Sequence, residues 1–360
     1  MDCRRLPIAS VSIVCCLLLN VARADLPTTA PTIADFRGTP AEIGAAHGQQ
    51  FGEVIRNLHT KYLKAYLGSD AQRFAAKAAA IMFESKLLPE HREEVKALAI
   101  GAGVDEKDTM LAQCFLDLSS MVACSTVTLP TDAAPDHVAR FGRNLDFMSF
   151  GVADKQSVVL VFHPKDRFAF AAVGWPGMIG VLSGMNEHGL CLANMEVTRP
   201  ARLPMAMPYT LLYRTVLEQC KTVDEAIELL TKTPRQTANN LMLMDASGGR
   251  AVIELRPESI AVRRGVDHAA LISTNHQRGD DQDSPGKCDR YDKLHDISRA
   301  HYGQIDVPQI ESMLREASQG NFTMQSMIFE PANRVIYLST GKDAARRTYT
   351  KIDLAEHFKK

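Results

Sequence analysis

The spacing of apolar positions changes character near residue 123. Before it, apolar and small residues recur at helical spacing. Residues 71–86 and 91–102 both carry long Ala- and Leu-rich helical patterns. An earlier helix starts at Thr39-Pro40-Ala41-Glu42, with Thr39 as N-cap and Pro40 in the first helical position. Gly101 and Gly103 are expected to end the helix over 91–102. After Cys124 the period shortens. Apolar runs bounded by turn residues predict strands over 125–129, 138–146, 158–163, 168–173, 179–183 and 190–197. Residues 130–136 form the turn of a first hairpin. Helices are predicted over 209–220 and 223–232, followed by strands over 240–245, 251–255, 259–263 and 269–274. Helices over 290–300 and 308–317 and strands over 323–329, 335–339 and 348–352 complete the chain. Strands in runs and helices in runs predict α+β layers rather than a doubly wound parallel sheet.

The first residues follow another pattern. Arg4 and Arg5 precede a mostly apolar run over 7–19, and Ala22-Arg23-Ala24 puts small residues at the cleavage-defining positions. A secretory signal peptide over 1–24, removed after Ala24, is expected. The run is shorter than the roughly 20 residues that a membrane span needs. No later segment is long and apolar enough, so no stable membrane insertion is expected once the signal has left. The mature protein is expected to be secreted or periplasmic. Residues 25–35, rich in Pro and Thr, read as its lead. The division is then 1–24 signal, 25–123 helical segment and 124–360 catalytic part.

Composition narrows the classes. The chain is 46% hydrophobic and 23% charged, enough apolar material for a sizeable core. Formal net charge is −1, so there is no global basic field and no nucleic-acid partner is expected. Cys3, Cys15 and Cys16 leave with the signal, while Cys114, Cys124, Cys191, Cys220 and Cys288 remain. An odd set at wide spacing is no disulfide framework, and no pair has Cys-x-x-Cys spacing. The eleven histidines are scattered without a His-x-x-x-His pair. Neither a metal nor another cofactor is expected.

Candidate chemistry lies where the pattern changes. Cys124 stands at the junction of the helical and strand-rich parts. The hairpin it opens ends in Phe141-Gly142-Arg143-Asn144-Leu145-Asp146. Strand alternation places Asn144 and Asp146 on one face and Arg143 on the other. An Arg and an Asp among apolar neighbours are paired or functional. Gly174-Trp175-Pro176-Gly177 follows, then Gly184-Met185-Asn186-Glu187-His188-Gly189-Leu190, whose 186–189 part reads as a hairpin turn. Asn194, near the end of an apolar strand, offers a neutral amide that can donate to an oxyanion. Asn275 and His276 end another apolar strand, lining a site or capping the strand.

Taken in order, these segments resemble the N-terminal-nucleophile cysteine hydrolases, the superfamily of penicillin V acylase, bile salt hydrolase and isopenicillin N acyltransferase. The matching order is Cys124, Gly142-Arg143-Asn144-Leu145-Asp146, Gly184-Met185-Asn186-Glu187 with Gly189-Leu190, then Thr274-Asn275. Phe36-Arg37-Gly38-Thr39-Pro40-Ala41-Glu42-Ile43-Gly44, Ala46-His47-Gly48, 99–103 and Glu330-Pro331 are similar to the isopenicillin N acyltransferase-like (acyl-coenzyme A:6-aminopenicillanic acid acyltransferase) family. The resemblance spans roughly residues 36–341. It implies a four-layered αββα sandwich and cleavage of the Ala123–Cys124 bond, with Cys124 as nucleophile. It implies Arg143 and Asp146 as the groups that hold and tune the thiol, and Asn194 and Asn275 as oxyanion-hole and amine-positioning groups. Ala123 stands where the family more often has Gly. The family's late active-site Arg has two candidates, Arg290 and Arg334.

The implied enzyme is a zymogen that frees its own nucleophile. The two cleavage products are expected to stay associated, and a homo-oligomer is compatible. A thiolate attacks an acyl amide, and the α-amine of Cys124, with a reference pKa of about 8, serves as base. The substrate expected is a small-molecule N-acyl amide, with the thioester resolved by water or an amine. Two alternatives stay open: a conventional Cys–His hydrolase using His188, His276 or His47 without self-cleavage, and a secreted non-catalytic binding protein.

Overall fold

The computed structural model describes residues 30–118, 123–197, 206–279 and 287–359. The expected signal peptide, its cleavage point at Ala24 and residues 119–122 lie outside the described residues.

Thr39 caps α1 (Pro40–Asn57) in a capping box with Glu42. The helix runs on through a π-helical turn, Leu58–Leu63, into the short α2 (Lys64–Leu67). Next come α3 (Asp70–Glu84), α4 (Pro89–Ala102) and α5 (Glu106–Leu118). The left-handed Gly103, at φ +64°, ends α4. Gly101, expected to share that task, instead belongs to the crossing of α1 and α4. A side chain there would stand 2.5 Å from the Ala45 carbonyl oxygen, and one at Gly44 or Gly48 would meet the α4 backbone at 2.3 Å. Two helices in backbone contact need glycine at these positions.

Two sheets carry the rest. The larger has the order β1 (Thr32–Gly38), β4 (Val158–Pro164), β5 (Phe170–Gly174), β6 (Ser183–Asn186), β7 (Cys191–Glu196), β8 (Asn239–Met244), β9 (Arg250–Leu255), β10 (Ile260–Arg264), and the smaller β11 (Leu271–Ser273), β2 (Ala123–Leu129), β3 (Arg140–Asp146), β12 (Thr323–Glu330), β13 (Val335–Thr340), β14 (Thr350–Asp353). The strands nearest the site are β2 (Ala123–Leu129), β3 (Arg140–Asp146), β7 (Cys191–Glu196), β8 (Asn239–Met244), β11 (Leu271–Ser273) and β12 (Thr323–Glu330). The inner faces meet where the Thr126 hydroxyl lies 3.5 Å from the Met195 sulfur. On the outside of the smaller sheet, α8 (Asp289–Ala300) and α9 (Val307–Glu316) close a compact apolar cluster of Val127, Ile272, Leu294, Ile310, Leu314 and Ile328. On the outside of the larger sheet lie α1, α6 (Tyr209–Gln219) and α7 (Val223–Lys232). The result is the expected α+β architecture of four layers, αββα.

Two local expectations fail. Residues 32–35, read as part of a lead, belong to β1 (Thr32–Gly38), which pairs parallel with β4 (Val158–Pro164). Ala34 and Phe36 point inward while Asp35 and Arg37 stay out, an alternation that the neighbouring Pro and Thr residues obscure. Residues 179–182, expected in a strand, form a buried loop before β6 (Ser183–Asn186). Gln113 accepts from the Ile179 N–H at 2.9 Å, and the Thr210 carbonyl accepts from Val181 at 2.9 Å. An apolar run satisfied in this way has the same sequence signature as a buried strand.

Candidate active site

Cys124 is the second residue of β2, and its side chain is fully buried between the sheets. Three of its groups are held by three different side chains. Its backbone N–H donates to Asn275 Oδ1 at 2.8 Å. Its carbonyl accepts from Arg290 Nη1. Its thiol lies 3.5 Å from Arg143 Nη2. Ala123 is half-buried and pairs with Asp146 across the β2–β3 ladder.

The expected alternation on β3 is present. Arg143 points between the sheets and donates to the Asn194 carbonyl at 2.6 Å. Asn144 points to the helical layer, donating to the Leu314 carbonyl at 2.7 Å. Asp146 shares that side, where Thr323 and Gln319 donate to its carboxylate and Arg290 Nη1 lies 3.6 Å away. Burial pushes the Asp146 carboxyl above its ordinary range, against the Thr323 hydrogen bond and the two arginines.

Asn194, on β7, accepts from Tyr213 Oη at 3.0 Å. Its Nδ2 is buried without a hydrogen-bond partner. Alternation along β7 turns this side chain to the helical layer, while Met195 faces the inner sheet; what Asn194 presents toward the thiol is its carbonyl, which accepts from Arg143. Asn275 follows β11. Its Nδ2 donates to the Glu196 carbonyl at 2.7 Å, leaving Oδ1 for Cys124 and for Arg290 Nη2 at 3.0 Å.

The structure thus brings Cys124, Arg143, Asp146 and Asn275 to one place; Asn194 joins them only through its carbonyl, because its side chain lies on the other face of β7 rather than at the thiol as expected. Of the two late arginines it brings Arg290. Arg334 lies elsewhere, donating to the Glu187 and Ala332 carbonyls. Gln319, Thr323 and Tyr213, which hold Asp146 and Asn194, carry no sequence signal of that role. They are far from their partners along the chain and come from other elements.

Burial pushes the Cys124 thiol up to about 11, with Arg143 and Arg290 pulling it down and Asp146 and Glu196 adding to the rise. All eleven histidines are described, and none hydrogen-bonds to the thiol. His47 accepts from the Gly177 N–H at 2.9 Å and stacks on Phe36. His188 packs edge-on against Phe168, and the His276 carbonyl accepts from Asn240.

Solved structures of the same architecture exist. Penicillin V acylase from Agrobacterium tumefaciens is 16% identical, with a TM-score of 0.50 over 65% of this chain and 86% of that one. A Caenorhabditis elegans N-acylethanolamine-hydrolyzing acid amidase ortholog is 17% identical, with a TM-score of 0.49 over 64% of this chain and 100% of that one. A mutant of conjugated bile acid hydrolase from Clostridium perfringens is 15% identical, with a TM-score of 0.49 over 65% of this chain and 93% of that one. No curated protein matches the chain. The fold is that of the N-terminal-nucleophile hydrolases. Residues 134–345 match the acyl-coenzyme A:6-aminopenicillanic acid acyl-transferase family, and the chain belongs to it. Cys124 lies just before the matched span, and Arg143, Asp146, Asn194, Asn275 and Arg290 lie within it.

Proposed function

We propose that this chain is an exported, self-processing cysteine amidohydrolase or acyltransferase acting on a small N-acyl amide. The observation that carries this reading is the grip on residue 124, whose nitrogen, carbonyl and thiol are each held by a separate side chain. A site built around a backbone nitrogen suits a nucleophile whose α-amine becomes its base. Burial holds the thiol above its ordinary value, so it rests protonated at pH 7 and a base is needed.

In the precursor, Sγ of Cys124 attacks the Ala123 carbonyl and the thiol proton passes to the departing amide nitrogen. The Ala123–Cys124 C–N bond breaks and a thioester forms. Water then releases the Ala123 carboxylate and frees both thiol and α-amine. Asn275 Oδ1 holds that amine after cleavage, while Asp146 and Arg290 fix its surroundings. Turnover repeats the chemistry: the amine takes the thiol proton, Sγ attacks the substrate carbonyl, and Arg143, whose Nη2 lies 3.5 Å from the thiol, donates to the oxyanion. The proton leaves with the amine product, and water or another amine resolves the acyl-enzyme. The segment before Cys124 stays bound, because β1 belongs to the larger sheet and Glu94 of α4 pairs with Arg214 of α6 at 2.7 Å. Export rests on the basic and apolar pattern of residues 4–24.

The test is Cys124→Ala. The variant is expected to remain one chain and to lose hydrolysis of N-acyl anilides by more than about a thousandfold. Retention of both processing and hydrolysis would overturn the reading.

A further inference from the structure

Helix α3 is apolar on two sides. Its inner side is fixed: Ala76, Ala80 and Phe83 are buried, and Arg73 and Lys77 both pair with Asp108 of α5, at 3.4 and 2.6 Å. Turned to the outside is a stripe of Ala71, Phe74, Ala75, Ala78, Ile81 and Met82. These positions recur at helical spacing and carry no charge over about three turns. All six are exposed, Phe74 by 77%, Ile81 by 48% and Met82 by 45%. Single apolar side chains at a surface are ordinary, but a continuous apolar stripe marks a contact surface. Beside it runs a groove of about 400 Å³ between α3, α4 and α5, whose lining includes Ile81, Leu87, Val95 and Met110. Ile81 belongs to both the stripe and the groove.

The stripe is complementary to itself. With a second copy laid antiparallel across it and centred on Ala78, helical geometry sets Phe74 against Ile81 of the other copy and Ala75 against its Met82. The two Ala78 side chains meet at the two-fold axis, so each contact occurs twice. Small residues at the centre let the helix axes approach closely. Phe74, the most exposed of the set, then reaches the mouth of the other copy's groove, as an aromatic anchor seats in a pocket. Charge agrees with this order. The flank of the stripe toward α5 carries Asp70, Arg73, Lys77 and Glu84. Antiparallel packing brings Arg73 to Glu84 of the other copy, whereas parallel packing sets Arg73 against Arg73. A lipid surface fits less well. Helices that lie on membranes flank their apolar face with Lys and Arg free to meet anionic headgroups. Here Arg73 and Lys77 are already paired with Asp108, and Asp70 and Glu84 border the stripe.

We infer that α3 is the contact between two copies of this chain, packed antiparallel about Ala78 with Phe74 of each seated against Ile81 of the other. The contact lies wholly in the segment before Cys124, so it forms whether or not the Ala123–Cys124 bond is cut.

Sedimentation velocity of the whole protein is expected to show a dimer that forms in the micromolar range, as a small interface gives. Phe74→Glu is expected to weaken dimerisation at least tenfold and to leave the melting temperature unchanged, because Phe74 is exposed within one copy. The register is read with introduced cysteines in the Cys124→Ala background, where Cys114, Cys191, Cys220 and Cys288 are all buried. Ala78→Cys is expected to give a disulfide-linked dimer on oxidation with diamide. Phe74→Cys alone is expected to give none, while a mixture of Phe74→Cys and Ile81→Cys copies gives a linked dimer. A protein that stays monomeric at about 100 μM, or a dimer that Phe74→Glu leaves intact, would overturn the inference. So would a protein that does not dimerise but binds phosphatidylglycerol vesicles through Phe74, which would assign the stripe to a lipid surface.

Discussion

Arg143 and Arg214 are both withdrawn from water, yet they are held in opposite ways. Arg214, on α6, makes a bidentate pair with Glu94 at 2.8 and 2.7 Å, a second pair with Glu218 at 2.7 Å, and a bond to the Ile179 carbonyl at 3.2 Å. Its guanidinium also lies over Phe162 and Phe170. Arg143 has one carbonyl partner and a thiol at 3.5 Å, and its Nε has no partner. A buried cation whose donors are all engaged ties elements together. One with donors to spare is positioned for charge that arises during a reaction. On the proposed function, the contrast assigns Arg214 to stability and Arg143 to the reaction.

The strongest way to break this contrast is Arg214→Leu. It leaves Glu94 and Glu218 buried without their cation, and a loss of about 3–5 kcal/mol is expected in denaturant unfolding. A variant of near wild-type stability would remove the distinction. Arg143→Gln should instead lower kcat/KM for an anilide substrate about a hundredfold, roughly 2.7 kcal/mol of barrier, with a much smaller stability change. Equal losses of stability and activity would contradict it.

The surroundings of Arg214 give a pH test. Burial, reinforced by Arg214, holds His47 and His91 down to about 3. A depressed histidine contributes stability above its unfolded pKa of 6.5, and that stability is lost as pH falls toward 3. At pH 5 the loss is about 2 kcal/mol per histidine. Both His91 nitrogens are without partners. His91→Leu should therefore recover about 2 kcal/mol of the acid-induced loss, seen as a flatter profile of melting temperature between pH 7 and 5. An unchanged profile would place the acid sensitivity elsewhere. The smallest effect concerns Asn194: Tyr213→Phe removes one hydrogen bond to its Oδ1 and should lower kcat a few-fold, about 1 kcal/mol, with KM unchanged.

Much of this was legible along the chain, and the rest was not for definite reasons. The Thr39 cap, the Asn186–Gly189 turn and the opposite facing of Arg143 and Asp146 are local consequences of backbone geometry, so residue type and period disclose them. The parallel pairing of β1 with β4 joins residues 126 positions apart, as Arg37 opposite His163 illustrates. No periodicity encodes that. The order of motifs led to Cys124, Asn194 and Asn275, but only packing separates Arg290 from Arg334. The buried loop over 179–182 misled because its polar backbone is satisfied by Gln113 and Thr210, which lie far away in sequence.

The central claim is that Cys124 becomes a chain terminus. N-terminal sequencing of the purified mature protein, beside the Cys124→Ala variant, tests it most directly. Two N-termini are predicted for the wild type, one at Asp25 and one at Cys124, and only the first for the variant. A wild-type protein that hydrolyses amides as a single uncut chain would contradict the account.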